Sequence, residues 1–176
     1  MTKAANRNRV LAVYPTYRGF GFAILEGPTT LMDWGVRSVR STSIEKEIGI
    51  LSKITDLIRH YRPRSLILEK PAWKGSRRCG RIRLLLASIQ NHATWEGVKA
   101  RGVSPEKLEK VFLTFGAVTK HQIARAVAQQ LPELAIYLPR QRKAWMSEDY
   151  RMAIFDAAAL ALTYFFYSRP MRDGRS

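Results

Sequence analysis

Cysteine is almost absent from this sequence. Cys79 is the only one among 176 residues, so the chain forms no internal disulfide and has no cysteine-based zinc site. Its three histidines, His60, His92 and His121, are scattered. The lack of disulfides fits a reducing compartment, and we expect a cytoplasmic protein.

Long hydrophobic runs are also missing. The most apolar stretch, 157–167, is too short to span a bilayer. The basic N-terminus is followed by a short strand interrupted by Pro15, which is not the pattern of a signal peptide. We therefore expect no membrane association. Length and composition predict a single domain at 9–168, a basic flexible N-terminus at 1–8 and a flexible C-terminal tail at 169–176.

Acidic residues are few. The chain has 14 Asp and Glu against 30 Lys and Arg, which gives a formal net charge of +16 and a pI of about 10.6. An excess of this size points to a polyanionic partner, first of all a nucleic acid. A uniformly basic surface without a partner is the alternative, but the cations cluster in sequence.

The order of hydrophobic patterns predicts an α/β fold. Apolar runs at 9–25 form a hairpin around Pro15 and Gly19, and 30–36 continues it into a three-strand antiparallel meander. Helical periodicity follows at 43–61, 82–100, 119–131 and 147–167, with short apolar strands at 65–69 and 110–113. Ser43, Thr119 and Ser147 are the expected helix caps. These elements predict a mixed sheet, with parallel strands beside the meander and helices on both faces.

Two carboxylates stand out from this pattern. Glu69 ends the apolar strand 65–69, and ligands sit at the carboxyl ends of strands in open sheets. Asp156 lies along an otherwise apolar helix surface, where a buried charge is costly unless something cationic, such as a metal ion or an arginine, lies beside it. Taken alone, Glu69 can equally be a solvated strand end, and Asp156 can equally be one half of a structural ion pair.

Basic residues with interspersed tryptophans form two clusters. Arginine makes bidentate phosphate contacts, and tryptophan offers a face for base stacking. The first cluster contains Lys70, Trp73, Lys74, Arg77, Arg78 and Arg81, the second contains Arg140, Arg142, Lys143 and Trp145, and Lys120 and His121 begin a helix between them. We expect these residues to bind nucleic acid around Glu69 and Asp156.

Four stretches together resemble the RuvC-like Holliday junction resolvases of the ribonuclease H-like superfamily. They are Leu11–Ala23 for the first hairpin, Leu66–Pro71 for the second acidic strand, Lys120–Ala124 for a later helix start and Asp156–Thr163 for the closing helix. The resemblance implies a ribonuclease H-like fold, a homodimer on branched DNA, and phosphodiester cleavage with two divalent ions, usually Mg²⁺ or Mn²⁺. It makes Glu69 and Asp156 the metal ligands, with Asp149 (or Glu148) as a substitute third acid.

Two features depart from the family pattern. The first-strand Asp of the family falls on Tyr14, and a phenol is a poor Mg²⁺ ligand at neutral pH. A partner acid three residues from Asp156 is also missing, because those positions hold Ala153 and Ala159. The first hypothesis is therefore a DNA-binding protein with a degenerate site and weak or absent cleavage. The alternatives are an active metal-dependent endonuclease with a rearranged site, and a non-catalytic scaffold that binds protein partners.

Overall fold

The computed structural model of the chain describes residues 8–70 and 80–169. Five strands form one sheet in the order β3-β2-β1-β4-β5, with β1, β2 and β3 antiparallel and with β4 and β5 parallel to β1. The strands are β1 (Arg9–Thr16), β2 (Gly19–Glu26), β3 (Leu31–Ser38), β4 (Ser65–Glu69) and β5 (Lys99–Val103). This is the predicted meander with parallel strands beside it.

Helices cover both faces of the sheet, as predicted. They are α1 (Ser43–Tyr61), α2 (Gly80–Trp95), α3 (Pro105–Leu113), α4 (Lys120–Gln130) and α5 (Met152–Ser168), and a 3₁₀ helix covers Pro132–Tyr137. α1 and α2 enclose one core with Leu11 and Val13 of β1, while α3, α4 and α5 enclose a second core with Val10 and Ala12. Since successive β1 side chains alternate between the two cores, β1 is buried on both faces.

The predicted helix and strand boundaries were wrong between residues 95 and 113. α2 ends at Trp95, because Gly97 takes a left-handed conformation (φ +78°) that terminates the helix. The fifth strand is Lys99–Val103, and the apolar run 110–113 belongs to α3. Ser104 caps α3 by accepting a hydrogen bond from the Lys107 amide, and Pro105 follows at the first helical position. Ser104-Pro105 was the sequence signal for this helix start.

The closing helix also differs from its prediction. α5 begins at Met152, so Ser147 is not its cap and Asp149 is not on the helix. The residues before it form a turn in which the Asp149 carboxylate binds Arg151 and the Met152 amide donates to the Asp149 carbonyl. At α1 the N-cap is Thr42, where Ser43 was predicted. The predicted cap Thr119 is confirmed, since it forms a reciprocal capping box with Gln122.

A close approach of α5 to the sheet fixes the position of Asp156. Gly21 lies opposite Tyr14 in the β1–β2 pair. A Cβ at Gly21 would collide with the backbone of Ala153, one turn before Asp156. The missing side chain therefore lets the first turn of α5 rest on β2 next to the end of β1.

The Tyr61 hydroxyl ties the end of α1 to β3 by donating to Asp33 Oδ2 at 2.6 Å. Burial and this hydrogen bond raise the pKa of Tyr61 to about 12. A raised pKa contributes stability that is present below the ordinary tyrosine value of about 10 and is lost as the pH rises toward 12. We expect Tyr61→Phe to cost about 1 kcal/mol of unfolding free energy at neutral pH, and the difference from wild type to shrink above about pH 10.

Urea unfolding at several pH values between neutral and alkaline measures this difference. Tyr150→Phe is the control, because Tyr150 is exposed and should show no such pH-dependent difference. A Tyr61→Phe deficit that stays constant with pH would contradict the assigned hydrogen bond.

Candidate functional site

The carboxyl ends of β1 and β4 open into a cleft of about 370 Å³. Strand alternation puts Tyr14 and Glu69 on the sheet face that α5 covers, because Ala12 and Ile67, two residues earlier on each strand, belong to the core beneath α5. α5 adds Asp156 to the same cleft, α3 adds Glu109, and α4 adds Lys120. The parallel pairing of Ala12 with Ile67 places Tyr14 and Glu69 on neighbouring strand ends.

The cation beside Asp156 is a lysine ammonium. Lys120 Nζ lies 3.1 Å from Asp156 Oδ2 and 2.7 Å from Glu148 Oε1, and it also lies 5.6 Å from the centre of the Tyr14 ring. Asp156 is largely buried, with 16% of its side chain exposed. The sequence predicted a cationic group beside Asp156, with a metal ion or an arginine as the examples, and the structure places there the lysine at the first helical position after the Thr119 cap.

The electrostatics of Lys120 follow from this position. Burial acts to lower the pKa of its ammonium, but the charge of Asp156, together with Tyr14 and Glu148, outweighs burial and raises the pKa well above the ordinary lysine value. Lys120 therefore stays protonated at physiological pH. Its ammonium joins α4, α5 and the segment before α5 in one ion-pair network.

A second cavity of about 440 Å³ shares Lys120 with the cleft. Asp149 lines this second cavity and does not line the cleft, and the Arg151 guanidinium binds both of its carboxylate oxygens, at 3.0 and 2.7 Å. The hydrogen bonds from Arg151 lower the pKa of Asp149 below its ordinary value. The structure thus separates Asp149 from Glu69 and Asp156, and its predicted role as a third acid gains no geometric support.

Several predicted DNA-binding residues surround this second cavity. His121 Nε2 donates to the Pro139 carbonyl at 3.0 Å, and Arg142 donates to the Met146 carbonyl at 2.7 Å. Arg140 is exposed at the rim, and Lys143 lies 5.8 Å from the ring centre of the exposed Trp145. The chain thus gathers a basic, aromatic loop (139–146) next to the cleft, as the clustering predicted.

The first basic cluster is only partly described. Lys70 is exposed directly after Glu69, and Arg81 is exposed in the first turn of α2. Trp73, Lys74, Arg77 and Arg78 lie outside the described residues, so their roles stay predictions.

Glu109 is a cleft residue that the sequence prediction missed, because 110–113 was assigned to a strand. The helix start at Ser104-Pro105 would have placed Glu109 on α3.

The described residues do not fit the two-ion site that the family resemblance implies. Within 8–70 and 80–169, no group of three His, Cys, Asp or Glu side chains is arranged to hold a metal ion. Tyr14 lies at the strand end where the resemblance places an Asp, and Asp156 is ion-paired with Lys120. Phenol oxygen is a weak ligand for a hard cation, which prefers carboxylate oxygens.

Comparisons with known proteins agree on the fold. Thermus thermophilus RuvC superposes with a TM-score of 0.68 at 19% sequence identity, covering 92% of this chain and 95% of that one. The fold is RuvC-like. T. thermophilus RuvC in complex with a Holliday junction substrate gives 0.68 at 18% identity, covering 92% and 94% of the two chains. The yeast mitochondrial Holliday junction resolvase Ydc2 gives 0.62 at 13% identity, covering 90% and 78%.

Sequence comparison adds nothing to this RuvC-like assignment. No family model matches the chain, and no curated protein does either. The structural match covers nine-tenths of the chain or more, so the ribonuclease H-like fold expected from the four sequence stretches is confirmed. In the described part of the chain, no helix is both long and apolar enough to cross a membrane.

Proposed function

We propose that this protein binds branched or distorted DNA, with the Holliday junction as the representative substrate, and that its cleavage activity is weak or absent. The observation that carries the proposal is Tyr14 beside Glu69 in a cleft that basic side chains flank. The RuvC-like fold and the junction-bound Thermus neighbour support the choice of DNA structure. By the same resemblance we propose a homodimer, and from the single cysteine we propose a cytoplasmic location.

Binding without cleavage follows from the chemistry of the cleft. Phosphates are attracted by the surplus of cations, a contribution that does not require a metal ion. In-line cleavage of a phosphodiester by this family would need carboxylates that hold two divalent ions a few ångströms apart. The cleft offers Glu69, Asp156 and Glu109, while the end of β1 holds a phenol and Asp156 is ion-paired with Lys120.

An active Mg²⁺- or Mn²⁺-dependent endonuclease is the second candidate. The observation in its favour is that Glu69, Asp156 and Glu109 line the same cleft, so a rearranged acidic set is present in outline. A scaffold that binds only protein partners is the third candidate. The basic loop beside the cleft gives this third candidate the least support.

Fluorescence anisotropy in EDTA tests the binding proposal. We expect a four-way junction to bind more tightly than a linear duplex of equal length, and both affinities to fall steeply with salt. Arg140→Glu/Arg142→Glu should weaken junction binding about tenfold or more, since each lost phosphate contact removes favourable ion pairing. Lys110→Glu/Arg125→Glu, at exposed cations outside the described cavities, changes the net charge equally and should have a much smaller effect.

The outcomes separate the candidates. Salt-insensitive DNA binding would contradict binding through phosphate contacts, and no DNA binding would leave only the scaffold. Equal weakening by the two double variants would show that net charge alone drives binding. Binding that requires Mg²⁺ would favour the endonuclease.

A further inference from the structure

A third cavity, lined by basic residues, lies at the opposite end of the sheet from the cleft. It has a volume of about 370 Å³ and opens where β1, β4 and β5 begin, near Arg9, Ser65 and Lys99. Glu69, at the cleft, ends the same strand that Ser65 starts. Four residue steps of about 3.3 Å separate the two ends of β4 by roughly 13 Å, so the two sites are distinct.

Cations converge on this cavity from several elements. Arg64 precedes β4, Lys99 and Arg101 lie on β5, and Arg169 follows α5. None of the described residues that line the cavity is acidic. Arg9 also lines it, but its guanidinium already donates to Glu26 at 3.2 Å and to the Tyr61 carbonyl at 2.7 Å.

Lys99, Arg101 and Arg169 carry the surplus charge. All three are exposed, and within residues 8–70 and 80–169 no carboxylate forms an ion pair with them. Strand alternation directs Lys99 and Arg101 to the same sheet face as Val103, which is the face under α5. Two β5 cations and the cap residue of α5 therefore face one space.

Two ordinary explanations do not account for the whole cluster. Lysine on an edge strand discourages edge-to-edge pairing, which explains a cation on β5 but not its convergence with Arg169. The C-terminal end of α5 carries about half a negative charge and attracts cations. Three cations exceed that half charge several-fold, so the cavity keeps a strong positive potential.

We propose that this cavity is a second phosphate-binding site, separate from the cleft. Arginine and lysine side chains around an open space of this size suit a phosphate group, and the partly buried rings of Tyr164 and Phe165 border it. The phosphate belongs either to a free phosphorylated compound or to the backbone of a second nucleic-acid segment. In the second case the protein holds two DNA segments at opposite ends of its sheet.

Isothermal titration of the full-length protein with inorganic pyrophosphate tests the site. Lys99→Glu/Arg101→Glu should weaken pyrophosphate binding about tenfold or more, because two charge-assisted contacts are lost. Both positions are exposed on an edge strand, and glutamate keeps that edge charged. Lys110→Glu/Arg125→Glu, with the same change in net charge, is the control and should leave pyrophosphate affinity within about twofold of wild type.

Capture of a second duplex distinguishes the sources of the phosphate. Beads carrying a four-way junction are saturated with protein and then offered a fluorescent linear duplex. If Lys99→Glu/Arg101→Glu abolishes capture of the duplex and the control variant retains it, the site binds nucleic acid. If the protein binds pyrophosphate but captures no duplex, the site binds free phosphorylated compounds. The proposal is overturned if wild type neither binds pyrophosphate nor captures the duplex, or if both double variants lose binding equally.

Discussion

Tyr14→Asp should gain Mn²⁺-dependent cleavage of a four-way junction, compared with the weak or absent cleavage that we propose for wild type. The substitution puts a carboxylate at the end of β1, beside Glu69 on the neighbouring strand and in the cleft that Asp156 lines. The new carboxylate would then join Glu69 and Asp156 as a ligand for a hard cation, whereas no three acidic, His or Cys side chains among the described residues of wild type are arranged to hold one. We expect at least about a hundredfold more cleavage than wild type, since a well-placed charged group contributes on that order to a transition state.

Tyr14→Asn is the matched control, because asparagine has the size of aspartate and lacks its charge. It should remove the phenol without giving cleavage. Thermal unfolding gives a second readout that does not depend on activity: Mn²⁺ should raise the unfolding temperature of Tyr14→Asp and leave wild type and Tyr14→Asn unchanged. Wild-type cleavage that disappears in Glu69→Gln would refute the degenerate-site proposal and establish the endonuclease.

Lys120→Met should destabilise the protein by about 2 kcal/mol. Removing one partner of a fully buried ion pair costs about 3–5 kcal/mol, because a charge is left without its counterpart in a poorly solvated position. The expected loss is smaller here since 43% of the Lys120 side chain is exposed and water screens part of the interaction. Most of the expected loss of unfolding free energy comes from Asp156, because only 16% of its side chain is exposed.

A double-mutant cycle isolates the ion pair. Asp156→Asn and Lys120→Met/Asp156→Asn complete the cycle, and urea unfolding measures each free energy. If Lys120 acts through Asp156, the double variant should be destabilised by less than the sum of the two single variants. Lys107→Met, at an exposed lysine near the Tyr167 ring, should change stability by no more than about 0.5 kcal/mol. Strict additivity at Lys120 and Asp156 would contradict the assigned coupling.

These two experiments address different properties of one cleft. The Tyr14 variants ask whether the strand ends can be made to hold a metal ion. The Lys120 cycle asks whether the ammonium holds α4 and α5 together. A protein that gives the expected result in both has an internal cation beside Asp156 and a cleft that gains a metal site when Tyr14 is replaced by a carboxylate.

Each wrong secondary-structure prediction has its own physical reason. The run 110–113 is too short for periodicity to separate a strand from a turn of helix, and its assignment needed the Ser104-Pro105 start signal. β5 was missed because an edge strand with Lys99 and Arg101 exposed carries little apolar alternation. At α5, the predicted start at Ser147 failed because the Asp149 carboxylate binds Arg151 in a turn before the helix.

The sequence by itself determined the mixed α/β sheet, the basic character, the Thr119 cap and the presence of Tyr14 at the strand end. All of these depend on local pattern or on composition, which a single chain displays directly. Only the tertiary structure decided that Lys120 pairs with Asp156, that Asp149 stays with Arg151, and that Lys99, Arg101 and Arg169 share a cavity. Those contacts join segments tens of residues apart or depend on where a helix begins, and the packing of α5 on the sheet brings them together.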